Sequence, residues 1–441
     1  MSLKLQKMIK IKDILLIQKR EIYKKLKEKY IDRGADRKKF GSSLIKVIMG
    51  PRRSGKSFFA IHILHDLGNF GYANFDDEKL VEVDDYNKIV DAINSIYNYP
   101  KYFLFDEIQN MDKWELFANR LQRQGYNLII TGSNSKLLSR ELATHLTGRH
   151  TAINIFPFSF REFLKVENKE LTENEIKAKL SDYAIYGGFP EPLVKEADHK
   201  DYISTLFSSV IYKDIIRRYK VRSVQGIEDL ASYLISNIAK EFSYNTLSKV
   251  TKCRSVHTIE KYLKYLEETY ILFRLNKFSY KLKEQIDSNK KIYCIDNGFI
   301  KAKAFRISSD TGRRYENIVA IELKKLEFDG VIRVYYWKSP QQEEVDFVIK
   351  RGMKVKQLIQ VCYDIEDVKA KEREVRALLK ASKELKCKNL LVITEDKESY
   401  EEVSWFGVKK KIRFVPLWKW LLKKNSQGIY RLLNHPKATN P

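Results

Sequence analysis

One octapeptide constrains this chain more than any other feature. Gly50-Pro51-Arg52-Arg53-Ser54-Gly55-Lys56-Ser57 fits the pattern G-x-x-x-x-G-K-[ST] at every position. The spacing has a physical reason. Its two glycines let the backbone wrap closely, so that successive N–H groups converge on phosphate oxygens at a helix N-terminus. Lys56 then reaches toward the β- and γ-phosphates, and the Ser57 hydroxyl is placed to ligate Mg2+. The flanks agree: the apolar run LIKVIM enters the loop as a strand, and SFFAIHILHDL leaves it as a helix. A phosphate-holding loop over all eight residues, Gly50 through Ser57, is the expectation.

Two further apolar runs supply polar ends. Tyr102-Phe103-Leu104-Phe105-Asp106-Glu107 reads as a strand closing on two acids. Asp106 at its carboxyl end would hold Mg2+ through water, leaving Glu107 to polarise an attacking water. The run Asn127-Leu128-Ile129-Ile130-Thr131 closes on Gly132-Ser133-Asn134. Asn134, chosen over Ser133, would contact the γ-phosphate or orient water, with a plain Gly-Ser-Asn turn as the competing reading. Arg149, in LTGRH, would meet a phosphate in cis or from a neighbouring subunit; an exposed structural arginine is its competing reading. Helical segments alternate with the strands LIKVIM, YANF, YFLF and NLIIT, which predicts a parallel sheet with helices on both faces, an α/β class.

Charge and cysteine content narrow the class. The 441 residues carry 82 Lys+Arg against 57 Asp+Glu, a formal +25, so phosphate-bearing partners suit the chain better than basic ones. A lysine-rich proteome explains the same excess without any partner. No run approaches the roughly 18 apolar residues of a membrane span, and MSLKLQKMIKIKDILL has charges where a signal peptide needs its apolar core. Cys253, Cys294, Cys362 and Cys387 form no CxxC pair, which argues against a zinc site or a disulfide framework. A soluble cytoplasmic protein with no membrane partner is expected.

The order GPRRSGKS, YANFDDE, YFLFDEIQNMDKWE, IITGSNSKLLS, LTGRH, IFPFSFREFL and YGGFPEP resembles the archaeal and bacterial AAA+-like ATPases in which a C-terminal domain of unknown function follows the ATPase. The resemblance runs from about residue 40 to about 420. It implies an αβα P-loop core, a helical lid containing GGFPEP, an arginine close to the nucleotide at Arg149, and ATP rather than GTP. On the last point the residues agree, since no N-K-x-D segment for reading guanine is present.

Five segments follow: a basic helical arm over 1–41, the P-loop core over 42–155, a helical lid over 156–220, a winged helix over 221–290 and a C-terminal α/β domain over 291–441. In the fourth, NTLSKV and SVHTIEKYLKYLEETY read as a helix-turn-helix, with ILFRL and the lysine-rich KFSYKLKEQIDSNKK as its wing. Ser255, His257 and Thr258 would then face bases, with Arg254, Lys261 and Lys264 near phosphate. A protein-contact or lid role competes, because Glu260, Glu267 and Glu268 make the helix less cationic. In the fifth, Glu316 on a helix, Asp346 on a strand and Gln360-Val361-Cys362 on the next strand follow the layout of a PD-(D/E)XK nuclease. The last element lacks the carboxylate and the lysine that activate metal and water there. Cys362 reads instead as a small buried hydrophobe, and nuclease activity is not expected.

The function expected is in-line attack of water on MgATP, with Lys56, Glu107, Asn134 and Arg149 as catalytic residues and Ser57 and Asp106 holding Mg2+. Nucleotide state would drive domain rearrangement, with DNA or another nucleic acid, a protein, or a second copy of the chain as partners. A slowly hydrolysing signalling or scaffold switch is one alternative. A nucleic-acid-binding protein with a regulatory ATPase is the other.

Overall fold

Five short runs of β-branched and aromatic residues build the sheet that carries the octapeptide: β1 (Ile45–Met49), β2 (Phe70–Asn74), β3 (Tyr102–Asp106), β4 (Asn127–Gly132) and β5 (His150–Asn154). The computed structural model describes residues 3–34, 37–133, 148–195, 197–251, 253, 255–305, 311–405 and 407–423. Asn134 and Arg254 lie outside the described residues. The described chain divides into two compact units, 1–157 with 268–270, and 158–267 with 271–441.

In the first unit the strand order is β2-β3-β4-β1-β5, and every pairing is parallel. Parallel strands need long crossovers, and α2 (Lys56–Leu67), α3 (Asn87–Tyr97) and α4 (Trp114–Arg123) lie on three of them. The apolar strands β1 and β3 are buried throughout, as strands covered on both faces must be. The expected α/β core is therefore present. β4 separates β1 from β3, so the ends of all three open on one edge of the sheet.

The N-terminal arm is the basic amphipathic helix that its spacing suggests, and its apolar face is packed. Helix α1 (Leu3–Lys25) is basic, yet Ile11, Ile14, Leu15, Gln18 and Ile22 are buried at helical spacing, and its four apolar side chains belong to the core of the first unit. It lies on α3 and along β2. Lys12 donates to Ser95 Oγ at 3.0 Å, and Lys19 to the Ile96 carbonyl at 3.0 Å. The Gln18 amide accepts from Asn74 N–H at 2.9 Å and donates to Asn74 O at 3.2 Å, bonding the open edge of the outermost strand. Part of the basic excess is thus spent on packing this helix.

The second unit is built on a nine-stranded mixed sheet. Helices α5 (Glu173–Tyr186), α6 (Val224–Ser236), α7 (Tyr244–Val250) and α8 (Val256–Glu268) precede most of its strands. These strands are β6 (Glu241–Phe242), β7 (Leu272–Lys277), β8 (Lys290–Cys294), β9 (Arg333–Lys338), β10 (Glu344–Arg351), β11 (Lys354–Val361), β12 (Leu390–Thr394), β13 (Ser399–Trp405) and β14 (Val408–Pro416). Their order is β13-β14-β12-β11-β10-β9-β7-β8-β6. The segment read as the wing has more structure than a hairpin. β7 and β8 pair antiparallel, but a short helix, Leu282–Asp287, separates them, and β7 also pairs parallel with β9. The strand ILFRL, as β7, and the strand that follows the lysine-rich segment, β8, are ladder members of one continuous sheet, in which their apolar faces are buried. Helices α7 and α8 stand where the helix-turn-helix was read, and β13, a polar edge strand, had no apolar signal in the sequence.

The YGGFPEP turn is explained by a buried acid. A Cβ on Gly187 would stand 1.8 Å from Asp296 Oδ1, and one on Gly188 would stand 2.2 Å from the Phe158 carbonyl oxygen. Asp296 accepts from the Gly188 and Gly298 amides at 2.7 and 2.8 Å. Burial, opposed by those two amides, pushes its carboxyl up to about 7.

The docking of α1 makes a stability prediction. Leu15 is fully buried, so Leu15→Ala should cost about 2–5 kcal/mol, the usual range for a core leucine. Urea denaturation followed by tryptophan fluorescence measures it. An unchanged midpoint would mean that α1 is no part of the folded core.

Candidate functional site

The loop between β1 and α2 is drawn tight by the chain leaving β5. The Ile155 N–H donates to Met49 O at 2.7 Å, and the Ser54 hydroxyl donates to Ile155 O at 2.8 Å. Gly50, at φ +148°, passes so close that a Cβ would stand 1.8 Å from that same Ile155 oxygen. No other residue fits. Arg33, from the segment after α1, donates to the Ser54 carbonyl at 2.9 Å and to the Phe156 carbonyl. Gly55 and Arg53 take left-handed backbone, which turns the loop into the first turn of α2. The first-turn N–H groups of a helix have no carbonyl of their own to bond, and here the glycine at its start brings no side-chain cap.

The loop's charged residues are already gathered. Lys56 is 4% exposed and folds back to donate to the Pro51 carbonyl at 2.9 Å. Arg52 is half-buried and Arg53 exposed. Together with Arg33 these are four cationic side chains on or against one loop, a field that favours phosphate.

Asp106 closes the other side. It ends β3 at 3% exposure, and hydroxyls from three elements hold its carboxylate. Ser57 donates to Oδ1 at 2.7 Å, Thr131 at the end of β4 donates to the same oxygen, and Tyr72 in β2 donates to Oδ2 at 2.9 Å. Burial pushes the Asp106 carboxyl above its ordinary value and the Glu107 charge adds to this, while the three hydroxyls pull it down. Ser57 and Asp106 are hard oxygen donors side by side. They fit Mg2+, which takes one or two protein oxygens and keeps water and phosphate for the rest.

Glu107 follows in left-handed backbone (φ 50°, ψ 42°), so its side chain leaves the line of the strand. Its N–H donates to Thr131 Oγ1 at 3.1 Å. Its carboxylate accepts from the Ser133 hydroxyl at 3.2 Å and from the Gln109 amide. Asn134 lies outside the described residues; Ser133, passed over in the sequence, is the residue seen on Glu107.

The structure corrects the cis reading of Arg149. It precedes β5, and its carbonyl accepts from Ile45 N–H at the start of β1. His150 pairs with Ile45, whereas the octapeptide follows Met49 at the opposite end of that strand. Five residues of strand span about 16 Å. An arginine side chain does not cross that distance, so Arg149 does not reach the loop of its own chain.

Four residues of the site escaped the sequence reading. Arg33 lies in a stretch read only as a basic arm, and Tyr72 in a run read only as strand. Gln109 and Thr131 had only their nearness to Glu107 and Gly132 to recommend them.

The second unit brings Glu316, on the helix α9 (Thr311–Phe328), together with Asp346 on β10. Between them lies the ammonium of Lys291, which was not singled out in the sequence. Gln360 accepts from the Asp346 N–H at 3.2 Å and donates to Glu374. Cys362 is buried in the apolar core, and burial pushes its thiol up to about 12, as expected of a packing residue.

Family models match three parts of the chain. Residues 42–164 match the family described as an AAA domain. Residues 177–310 and 311–419 match two families described as domains of unknown function, DUF8612 and DUF4143. The uncharacterized protein MJ1544 of Methanocaldococcus jannaschii is 37% identical over 397 residues, covering 86% of this chain and 88% of that protein. An uncharacterized protein of Haemophilus influenzae is 30% identical over 343 residues, covering 74% and 84%. Among solved structures, the Walker-type ATPase PABY2304 of Pyrococcus abyssi is similar at 15% identity and a TM-score of 0.43, over 62% of this chain and 95% of that one. No helix among the described residues is long and apolar enough to cross a membrane.

The burial of Asp106 has a measurable consequence. Removing a buried charge while keeping its shape lifts a dehydration cost. Asp106→Asn should therefore raise the melting temperature of the ligand-free protein by a few degrees, at about 2–4 °C per kcal/mol for a unit of this size. Scanning calorimetry reads it, and a lower melting temperature would show that the carboxylate's hydrogen bonds outweigh its dehydration.

Proposed function

The chain belongs to the same family as the MJ1544 protein, with an AAA domain of P-loop type at its N-terminal end, and we propose that it is a Mg2+-dependent ATPase. The observation that carries the reading is the pairing of a tightly held phosphate loop with an adjacent buried acid, Ser57 Oγ to Asp106 Oδ1 at 2.7 Å. The triphosphate lies in the loop, bonded by its backbone N–H groups at the start of α2. Lys56 gives up the Pro51 carbonyl for the β- and γ-phosphates, a stronger partner for an ammonium than a neutral oxygen. Ser57 and Asp106 hold the Mg2+ ion, which when bound offsets charge on the phosphate oxygens.

Glu107 is the residue that orients and polarises water. Ser133 and Gln109 hold its carboxylate at the ends of β3 and β4, between the loop and the sheet edge. Asn134 is proposed to assist by contacting the γ-phosphate or the water. Catalysis on this reading is positioning and charge stabilisation, with ATP rather than GTP as substrate. Lys56→Ala should lose nucleotide binding, read as loss of the thermal shift that MgATP produces. Glu107→Gln should keep that shift while turnover falls about 10²–10⁴-fold. ATP hydrolysis by Lys56→Ala at the parent rate would end the proposal.

Arg149 acts, on this proposal, on a neighbouring copy of the chain, since its own loop is at the other end of β1. Arg149→Ala and Lys56→Ala should each be inactive alone, and mixing them should restore part of the turnover. No recovery over a range of mixing ratios would leave Arg149 a surface residue.

A nucleic-acid partner is a separate reading, supported by the formal charge of +25. Its signature is ATPase activity that DNA or RNA stimulates at low salt and that salt abolishes. The second unit is proposed to be nuclease-like in layout, with helix α9 and strands β9 to β12 as its frame. It is not proposed to cut.

A further inference from the structure

A second cluster of charge lies in the C-terminal unit, independent of the nucleotide site. Lys291 projects from β8 with its side chain 2% exposed. Its Nζ stands 2.7 Å from Glu316 Oε1, 2.6 Å from Glu344 Oε1 and 3.1 Å from Asp346 Oδ1. An ammonium has three N–H donors and no acceptor, and here three carboxylates meet it. Glu316 and Asp346 each accept from a further donor, while Glu344 also meets the Glu241 carboxyl. The Tyr293 hydroxyl donates to Glu316 Oε1 at 2.6 Å, and the Val361 N–H donates to Asp346 Oδ2 at 2.9 Å.

Three carboxyl groups converging from α9 and β10 on one point in a dry site must take up protons or hold a cation, and here an ammonium stands among them. In a metal-dependent enzyme that hydrolyses phosphodiesters, the cation held by such acids is a divalent metal, open to water and substrate on one side. This one is neither divalent nor open. Glu316 and Asp346 are 13% and 7% exposed, and Glu344 at 28% is the only partly open member. Burial works to strip the proton from Lys291, but Glu316, Tyr293, Asp346 and Glu344 outweigh it, and the ammonium is held well above the ordinary lysine value. No group of three or more His, Cys, Asp or Glu among the described residues is arranged to hold a metal ion.

We propose that Lys291 is the resident cation of this site: its ammonium takes the place that Glu316, Glu344 and Asp346 would give to a divalent metal, and so closes the C-terminal unit to metal binding and to phosphodiester hydrolysis. The acids are retained because the ammonium needs them. Without Lys291 they form a latent site for a hard divalent cation.

The test uses the full chain without nucleotide and Mn2+ as probe, with Asp106→Asn in every protein so that the phosphate loop adds no metal site. Mn2+ binding is counted by electron paramagnetic resonance. The Lys291 protein and its Asp346→Asn derivative should give the same titration. Lys291→Ala should gain one Mn2+ site, and Lys291→Ala with Asp346→Asn should lose it again. Should Lys291→Ala fail to fold alone, Mn2+ in the refolding buffer should restore folded protein to it and not to the double variant. Three results would overturn the proposal: an Asp346-dependent Mn2+ site while Lys291 is present, a folded Lys291→Ala with no new site, or a refolding yield indifferent to Mn2+. Metal-dependent cleavage of DNA or RNA that Lys291→Ala abolishes would also overturn it, because Lys291 would then be a working group rather than a plug.

Discussion

The Asp106 carboxylate sits almost out of water at the end of β3, held by hydroxyls from α2, β2 and β4. A buried carboxylate costs several kcal/mol to dehydrate, and nearby donors recover only part of that. The geometry therefore has to be kept. Thr131 reaches Asp106 because β4 lies between β1 and β3, and its oxygen also accepts the Glu107 N–H, which aims the second acid. Ser57 reaches it because the loop is pulled inward by Ile155 and Arg33. One carboxylate thus ties together the loop, the sheet edge and the residue that would face water.

The same physics recurs in the C-terminal unit with the opposite solution. There a buried ammonium is surrounded by acids, where the first unit surrounds a buried acid with hydroxyls. Hydroxyls can turn to follow a ligand, and an ion such as Mg2+ can displace them. A lysine fixed by three carboxylates is tethered to its strand and cannot leave. The first arrangement suits a site that must admit and release a ligand, and the second suits a permanent closure.

Much of the candidate site was legible because its chemistry is local. The octapeptide needs two glycines, a lysine and a hydroxyl at set spacing, and strand–loop–helix order then follows from apolar periodicity. Tyr72 and Arg33 were not legible, since their importance arises where distant segments meet. Arg149 stayed open in the sequence for a related reason. It is close to β5 in sequence, but whether that strand's start or its end lies beside the loop depends on pairing direction, which the local pattern does not carry. The segment read as a wing shows the same limit of local pattern: a strand followed by a lysine-rich stretch looks alike whether it ends a small domain or continues a large sheet, and the pairing of β7 with β9 makes it part of the large one.

The positive charge took its meaning from structure as well. The chain has a formal +25, and composition alone reads it as an appetite for anions. Folding distributes it otherwise: Lys12 and Lys19 bond α1 to the first unit, Lys290 caps the carbonyls that end Leu282–Asp287, and Lys291 is sealed among acids. By itself the sequence determined the glycine-bounded loop with its lysine, the acids Asp106 and Glu107 at the close of β3 and the parallel character of the core, because each is written in neighbouring residues. Tertiary structure decided which end of the sheet Arg149 occupies, which hydroxyls hold Asp106, and that a lysine from another strand fills the acidic site. Those are facts about which strands lie side by side, and burial over the whole unit, more than any local segment, selects that arrangement.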